Sequence, residues 1–166
     1  MKDRAGALKE IKRLEHVLRD LHFEGKPRFG RNLRETMETI EDLERPLARR
    51  FQIEEKKVFP FLRRHVPKLT PVLAMLEAER RGFRARIKNL KGSVRRLAKS
   101  TSSRERGRMT HKLREEGTYL LYFLKSHLDL EAATLYRVVS RDLRDDEKRE
   151  LKGLERMCHE PQKGLN

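Results

Sequence analysis

The chain has no tryptophan, one cysteine, and aromatics amounting to only 6% of its 166 residues. The single thiol, Cys158, excludes an internal disulfide, so packing alone must hold the fold, and a reducing cytoplasm is the expected compartment. The 6 prolines and 9 glycines fall in a few clusters, leaving long stretches open to regular structure. No run approaches the roughly 18–20 apolar residues of a membrane span. The N-terminal MKDRAGALKEIKRLEH lacks the apolar centre of a signal peptide. A soluble, cytoplasmic protein with no membrane partner is expected. A Gly-rich phosphate loop, a zinc-ligand spacing and a nucleophile–base motif are also missing, so no enzymatic activity is expected.

What is abundant is charge and helix formers. Charged residues make up 40% of the chain and apolar ones 36%, with a formal net charge of +15. Leu, Arg, Lys and Glu dominate, all of them favourable in helices. The cations are spread through the chain, as in RARIKNLKGSVRR, rather than gathered in a tail. A solvated basic surface accounts for them. Nucleic acid or another polyanion is the partner such a charge would attract.

Apolar residues recur at three- and four-residue steps, which predicts helices. Helix A is expected over about 3–23, with Leu8, Ile11, Leu18 and Leu21 inward and Gly25 and Pro27 as its stop. Helix B is expected over about 31–64, on Leu33, Met37, Ile40, Leu43, Leu47, Val58 and Phe61. Pro46 should kink or split it, and Pro60 should distort its last turn. Helix C should follow Pro67 and run to about 99, with Thr70 as N-cap and Pro71 in first position. Helix D is expected over about 104–140, started by Ser102 or Ser103, and a short helix over about 144–158. Short loops between long helices imply a single all-α domain, an antiparallel up-down-up-down four-helix bundle over about 3–140 with an extra C-terminal helix.

Charged residues interrupt these stripes. Arg50 and Glu54 fall in the seam between Leu47 and Val58, Arg80 between Leu76 and Phe83, and His127 and Glu131 between Leu124 and Leu135. Charges facing a core are costly unless paired or bound to metal. A weak repeat joins two of these places. RFQIEEKKVFP at 50–60 aligns with HLDLEAATLYR at 127–137, matching Arg50 to His127, Glu54 to Glu131 and Phe59 to Tyr136. Each half offers a carboxylate four residues after a nitrogenous side chain, on one helical face.

LEH at 14–16, RFQIEEKKVFP at 50–60, EAER at 77–80 and HLDLE at 127–131 together resemble the hemerythrin-like (HHE) domain family over about 10–140. The FxxEExxxFP run is the most distinctive piece. The resemblance implies a four-helix bundle around a non-haem di-iron centre, used for oxygen binding, iron handling, sensing, or redox and nitric-oxide stress. Carried over by motif, the metal ligands are His16, Glu54, His127 and Glu131. Arg50 and Arg80 stand where the motif has histidines, and arginine offers no lone pair to a metal. Periodicity instead puts Glu15 or His22 on the inner face of helix A, so that position stays open between the three residues.

Two arrangements satisfy the remaining carboxylates. One is an iron site, mononuclear or binuclear, with fewer ligands. The other is metal-free, with Arg50 and Arg80 neutralising Glu54 and Glu131 in place of two cations, and the charge balance favours it. His65, His111 and His159 are expected at helix ends or on the surface. Tyr119, Tyr122 and Phe123 are expected in packing, and Glu55 and Glu79 at helix flanks.

Overall fold

A computed structural model describes residues 2–21 and 26–159. The described residues contain no strand; the chain is all-α, as the periodicity predicts. Six α-helices follow in order: α1 Lys2–Asp20, α2 Lys26–Ile53, α3 Phe59–His65, α4 Thr70–Lys99, α5 Ser103–Asp142 and α6 Asp145–His159. Gly25, proposed as the stop of the first helix, lies outside the described residues. Pro27 does not act as a stop. It sits in the first turn of α2, where its missing N–H costs nothing.

The prolines act differently from one another. Pro46 lies inside α2, yet the helix is not split and continues to Ile53. Pro60 has a larger effect. Residues Glu54–Val58 form a π-helical turn, in which the Phe59 amide donates to the Glu54 carbonyl five residues back. Pro60 has no N–H to offer four residues back, and its ring crowds the carbonyl there. Widening the turn relieves that clash. A 3₁₀ turn at Pro67–Leu69 then feeds α4. Thr70 has helical φ −51° and ψ −46°, so it continues that turn instead of capping in an extended conformation. Ser102 does cap α5: its hydroxyl accepts from the Glu105 amide at 3.4 Å, and its carbonyl accepts from the Arg106 amide.

The chain forms two compact units, Met1–Pro46 with Arg81–Ser126, and Leu47–Arg80 with His127–Asn166. The first unit is closed by an aliphatic core that includes Leu14, Leu21, Ile40, Leu43, Ile87 and Leu90, all essentially sealed from solvent. Gly117 of α5 faces Leu18 of α1 so closely that a Cβ there would collide with the leucine methyls. Arg13 of α1 reaches Asp42 of α2 at 2.9 Å, and Ser93 of α4 reaches Glu116 of α5 at 3.1 Å.

The second unit has an apolar cluster of its own. Phe59, Phe61, Leu62, Leu73, Leu76, Leu143 and Leu151 are buried together, with Leu135, Val138 and Leu154 partly covered against them. Helix α6 packs against the π-helical turn. Its start is fixed by Glu147, whose carboxylate accepts from the Arg144 amide at 2.9 Å. Glu147 also meets the ring of His65 at 2.8 Å, and that ring stacks on Phe61. His65 is thereby tied to α6.

Candidate functional site

Four buried charged or titratable side chains lie in the second unit: Glu54, Arg80, His127 and Glu131. Arg50 joins them with its side chain 14% exposed. Helix α2 supplies Arg50, the π-helical turn supplies Glu54, α4 supplies Arg80, and α5 supplies His127 and Glu131. The two halves of the sequence repeat meet here.

Their hydrogen bonds form a closed arrangement. One oxygen of Glu54 accepts from Arg50 Nε at 2.7 Å, and the other accepts from Arg80 Nη2. One oxygen of Glu131 accepts from Arg50 Nη2, and the other from Arg80 Nη2 at 3.3 Å. Each guanidinium thus bridges both carboxylates, and each carboxylate oxygen receives one donor. Two positive and two negative charges balance inside the unit.

Arg80 is the most deeply placed of the set, with 0% of its surface exposed. Its guanidinium carbon lies 4.4 Å from the ring centre of Phe51 and 4.4 Å from that of Phe59. Two aromatic faces therefore cover the cation, each attracting it through the ring quadrupole. Nη1 has no hydrogen-bond partner among the described residues, which makes these rings its principal compensation. Phe51 and Phe59 belong to the FxxEExxxFP run. Their role at the arginine was not legible in the sequence, although their eight-residue spacing around Glu54 was a usable signal.

His127 completes the site. Its Nδ1 lies 2.7 Å from a Glu79 oxygen, and its Nε2 lies 3.5 Å from Arg80 Nε. Because Arg80 can only donate, the network assigns the proton to Nδ1 and leaves Nε2 as acceptor. Burial pushes the His127 pKa below its ordinary value, against the opposing pull of the Glu79 hydrogen bond. A neutral imidazole follows. Glu79 is therefore more than the flanking residue expected: it orients the histidine. Burial also raises the Glu54 carboxyl above the usual range, reinforced by Glu131 and opposed by Arg50 and Arg80.

The helix A candidates are placed elsewhere. The His16 side chain is 71% exposed and meets Asp20 at 3.2 Å. Glu15 is exposed as well. The inner face of α1 is instead Ile11, Leu14, Val17 and Leu18, with Leu21 buried just past its end. His22 lies outside the described residues. So do the side chains of Tyr136, Cys158 and His159. His111 is exposed and pairs with Glu115 at 3.5 Å. Tyr119 and Tyr122 are exposed too, contrary to the packing role expected, because they fall on the outer face of α5. The Tyr119 ring instead receives Arg86 at 4.5 Å.

A family model for the hemerythrin HHE cation-binding domain matches residues 6–139. The chain belongs to the hemerythrin HHE family. No curated protein and no solved structure matches it significantly. The family implies a cation held by histidines and carboxylates, and the donor set of this hemerythrin-family chain can be tested against that role. Glu54 and Glu131 direct every oxygen at a guanidinium, and Arg50 and Arg80 carry protons where a metal would need lone pairs. Among the described residues, no group of three or more His, Cys, Asp or Glu is arranged to hold a metal. This donor set does not fit a bound cation.

Proposed function

We propose that this hemerythrin-family domain works without a metal, as a structural or binding module whose interior cations are its own arginines. The observation that carries the reading is Arg80, fully buried, bonded to both carboxylates and held between two phenylalanine rings. A di-iron centre would supply two cations to the carboxylates that hold it. Here the carboxylates are retained and the guanidiniums supply the charge. Glu54 and Glu131 each accept on both oxygens, which also takes them out of use as general bases and supports a non-enzymatic role.

Elemental analysis of protein purified from iron-supplemented cells, with an absorption scan, tests this. Far less than one metal per chain is expected, with no near-ultraviolet band from an oxo-bridged iron pair. Stoichiometric iron with such a band would sink the proposal. In the double variant Arg50→His, Arg80→His, iron uptake should rise, since two lone-pair donors then flank the same carboxylates. Uptake no greater than the parent's, in a folded variant, would show that these arginines do not occupy ligand positions.

A second reading concerns the surface. Residues 81–126 hold fourteen Lys and Arg against three Asp and Glu, and no acidic residue interrupts 80–104. Arg81, Arg84, Lys88, Lys91, Arg95 and Lys99 follow at helical spacing along α4. Such a stripe supports contact with a polyanion such as nucleic acid. Charge reversal of Arg81, Arg84 and Lys88 should lower retention on a DNA column well beyond the same number of reversals in 127–159. Equal losses would reduce the effect to net charge.

A further inference from the structure

The first unit contains a groove of about 680 Å³ that the arginine–carboxylate network does not touch. It lies between the start of α2, the end of α4 and the start of α5. Phe29, Leu33, Val94 and Leu97 form a buried apolar floor. Arg34, Arg95 and Arg106 also line it, and no acidic residue does. Its volume is in the range of small-molecule sites, roughly 300–1,000 Å³.

The arginines are what give the groove a chemistry. Arg106 is held by its Nε donating to the Ser100 carbonyl at 2.6 Å. Arg34 and Arg95 have neither a hydrogen bond nor an ion pair among the described residues. Elsewhere in this unit, cations next to carboxylates are paired, as Arg13 is with Asp42 and Lys91 with Glu44. Two guanidiniums without a counter-charge beside an apolar floor favour a ligand that carries an anionic head and a hydrocarbon body. Guanidinium forks match carboxylate and phosphate oxygens in pairs. An inorganic anion would leave the floor wet, and an uncharged lipid would leave the arginines unpaired.

We propose that this groove binds a free amphipathic anion, an alkyl chain ending in a carboxylate, with the head at Arg34 and Arg95 and the chain along Phe29, Leu33, Val94 and Leu97. The site is independent of the metal question.

Calorimetric titration of the full chain with dodecanoate below its micelle concentration tests it, with dodecanol, dodecyltrimethylammonium and inorganic phosphate in parallel. Saturable binding at one molecule per chain is expected for dodecanoate, at least about tenfold tighter than for the other three probes. Arg34→Gln with Arg95→Gln should weaken dodecanoate by at least about tenfold, and both side chains are exposed, so the fold should survive. Ala98→Trp, at an exposed lining position, should block the groove and abolish binding. Dodecanol binding as tightly, phosphate binding as tightly, or dodecanoate indifferent to the arginine pair would each overturn the proposal. Non-saturable uptake would overturn it as well.

Discussion

The two compact units solve the problem of a helical interior in opposite ways. In Met1–Pro46 with Arg81–Ser126, the buried polar side chains among the described residues are Thr36, Thr39, Ser93 and Thr110, all uncharged. In Leu47–Arg80 with His127–Asn166 they are Glu54, Arg80, His127 and Glu131. The threonines at 36 and 39 answer their own needs, each hydroxyl donating to a carbonyl four residues back at 2.7 Å. Apart from the Arg50–Glu54 bond across four residues, the charged set answers its needs through partners 26 to 81 residues away in sequence. Local satisfaction makes the first core tolerant of single changes at Thr36 and Thr39. Distant satisfaction makes the second one dependent on every member.

That dependence sets the largest expected effect. Arg80→Ala leaves Glu54 and Glu131 buried with one guanidinium between them, and empties the space between Phe51 and Phe59. Breaking a buried pair from one side costs about 3–5 kcal/mol, so a urea melt should show a loss of that order. Replacing the whole set at once sharpens the point. Arg50→Met, Arg80→Met, Glu54→Leu and Glu131→Leu together should be far less destabilising than Arg80→Ala alone, because no charge is left without a partner. A quadruple variant weaker than the single one would mean that the guanidiniums contribute more than neutralisation.

The helical stripes were legible because burial repeats every three or four residues. Leu73, Leu76, Phe83, Ile87, Leu90, Val94 and Leu97 of α4 are all buried, as their spacing predicts. The interruptions at Arg50, Glu54, Arg80, His127 and Glu131 were legible for the same reason, since each falls on the inner face of its stripe. Which atoms meet was not. That Arg80 lies between Phe51 and Phe59 depends on the π-helical turn at Glu54–Val58, and a wheel drawn at 3.6 residues per turn cannot contain such a turn. Pro60 was the visible sign, and its effect fell on the turn before it. On α1, Leu14 and Val17 carry the buried face together with the expected leucines, which turns Glu15 and His16 outward. The family motif pointed to His16 because a motif preserves order along the chain, whereas facing depends on how the helix is rotated.

A smaller effect comes from the start of α6. The Arg144 amide, the Arg144 guanidinium and His65 together hold the Glu147 pKa down from 4.5 to about 2. A depressed carboxylate stabilises the fold above its unfolded value and loses that contribution as pH falls through the folded one. The stability added by Glu147 should therefore be complete above about pH 4.5 and decay toward pH 2. Thermal melts of the parent and Glu147→Gln over this window should converge as pH falls. A gap that stays constant down to pH 2 would remove the ionised carboxylate as the cause. His127 works in the same sense at higher pH. Its pKa is lowered from 6.5 by burial, so the folded state is disfavoured as pH drops below that value and the unfolded chain takes up the proton.

The smallest effect tests the tolerant core directly. Thr36→Val keeps the shape of the side chain and removes a hydroxyl that donates to the Asn32 carbonyl. That carbonyl also lies in the backbone ladder of α2, so it is not orphaned when the hydroxyl goes. Valine also adds apolar surface at a position with 0% exposure. Loss of one local bond and gain of one buried methyl should nearly cancel, within about 1 kcal/mol of the parent in a urea melt. Glu54→Gln is a comparably isosteric change in the other unit, yet it leaves Arg50 and Arg80 with Glu131 as their one shared carboxylate and should cost several times as much. If the two substitutions cost the same, the difference between a locally satisfied interior and a distantly satisfied one has no energetic weight, and the arginine–carboxylate arrangement is better regarded as padding than as the replacement for a cation.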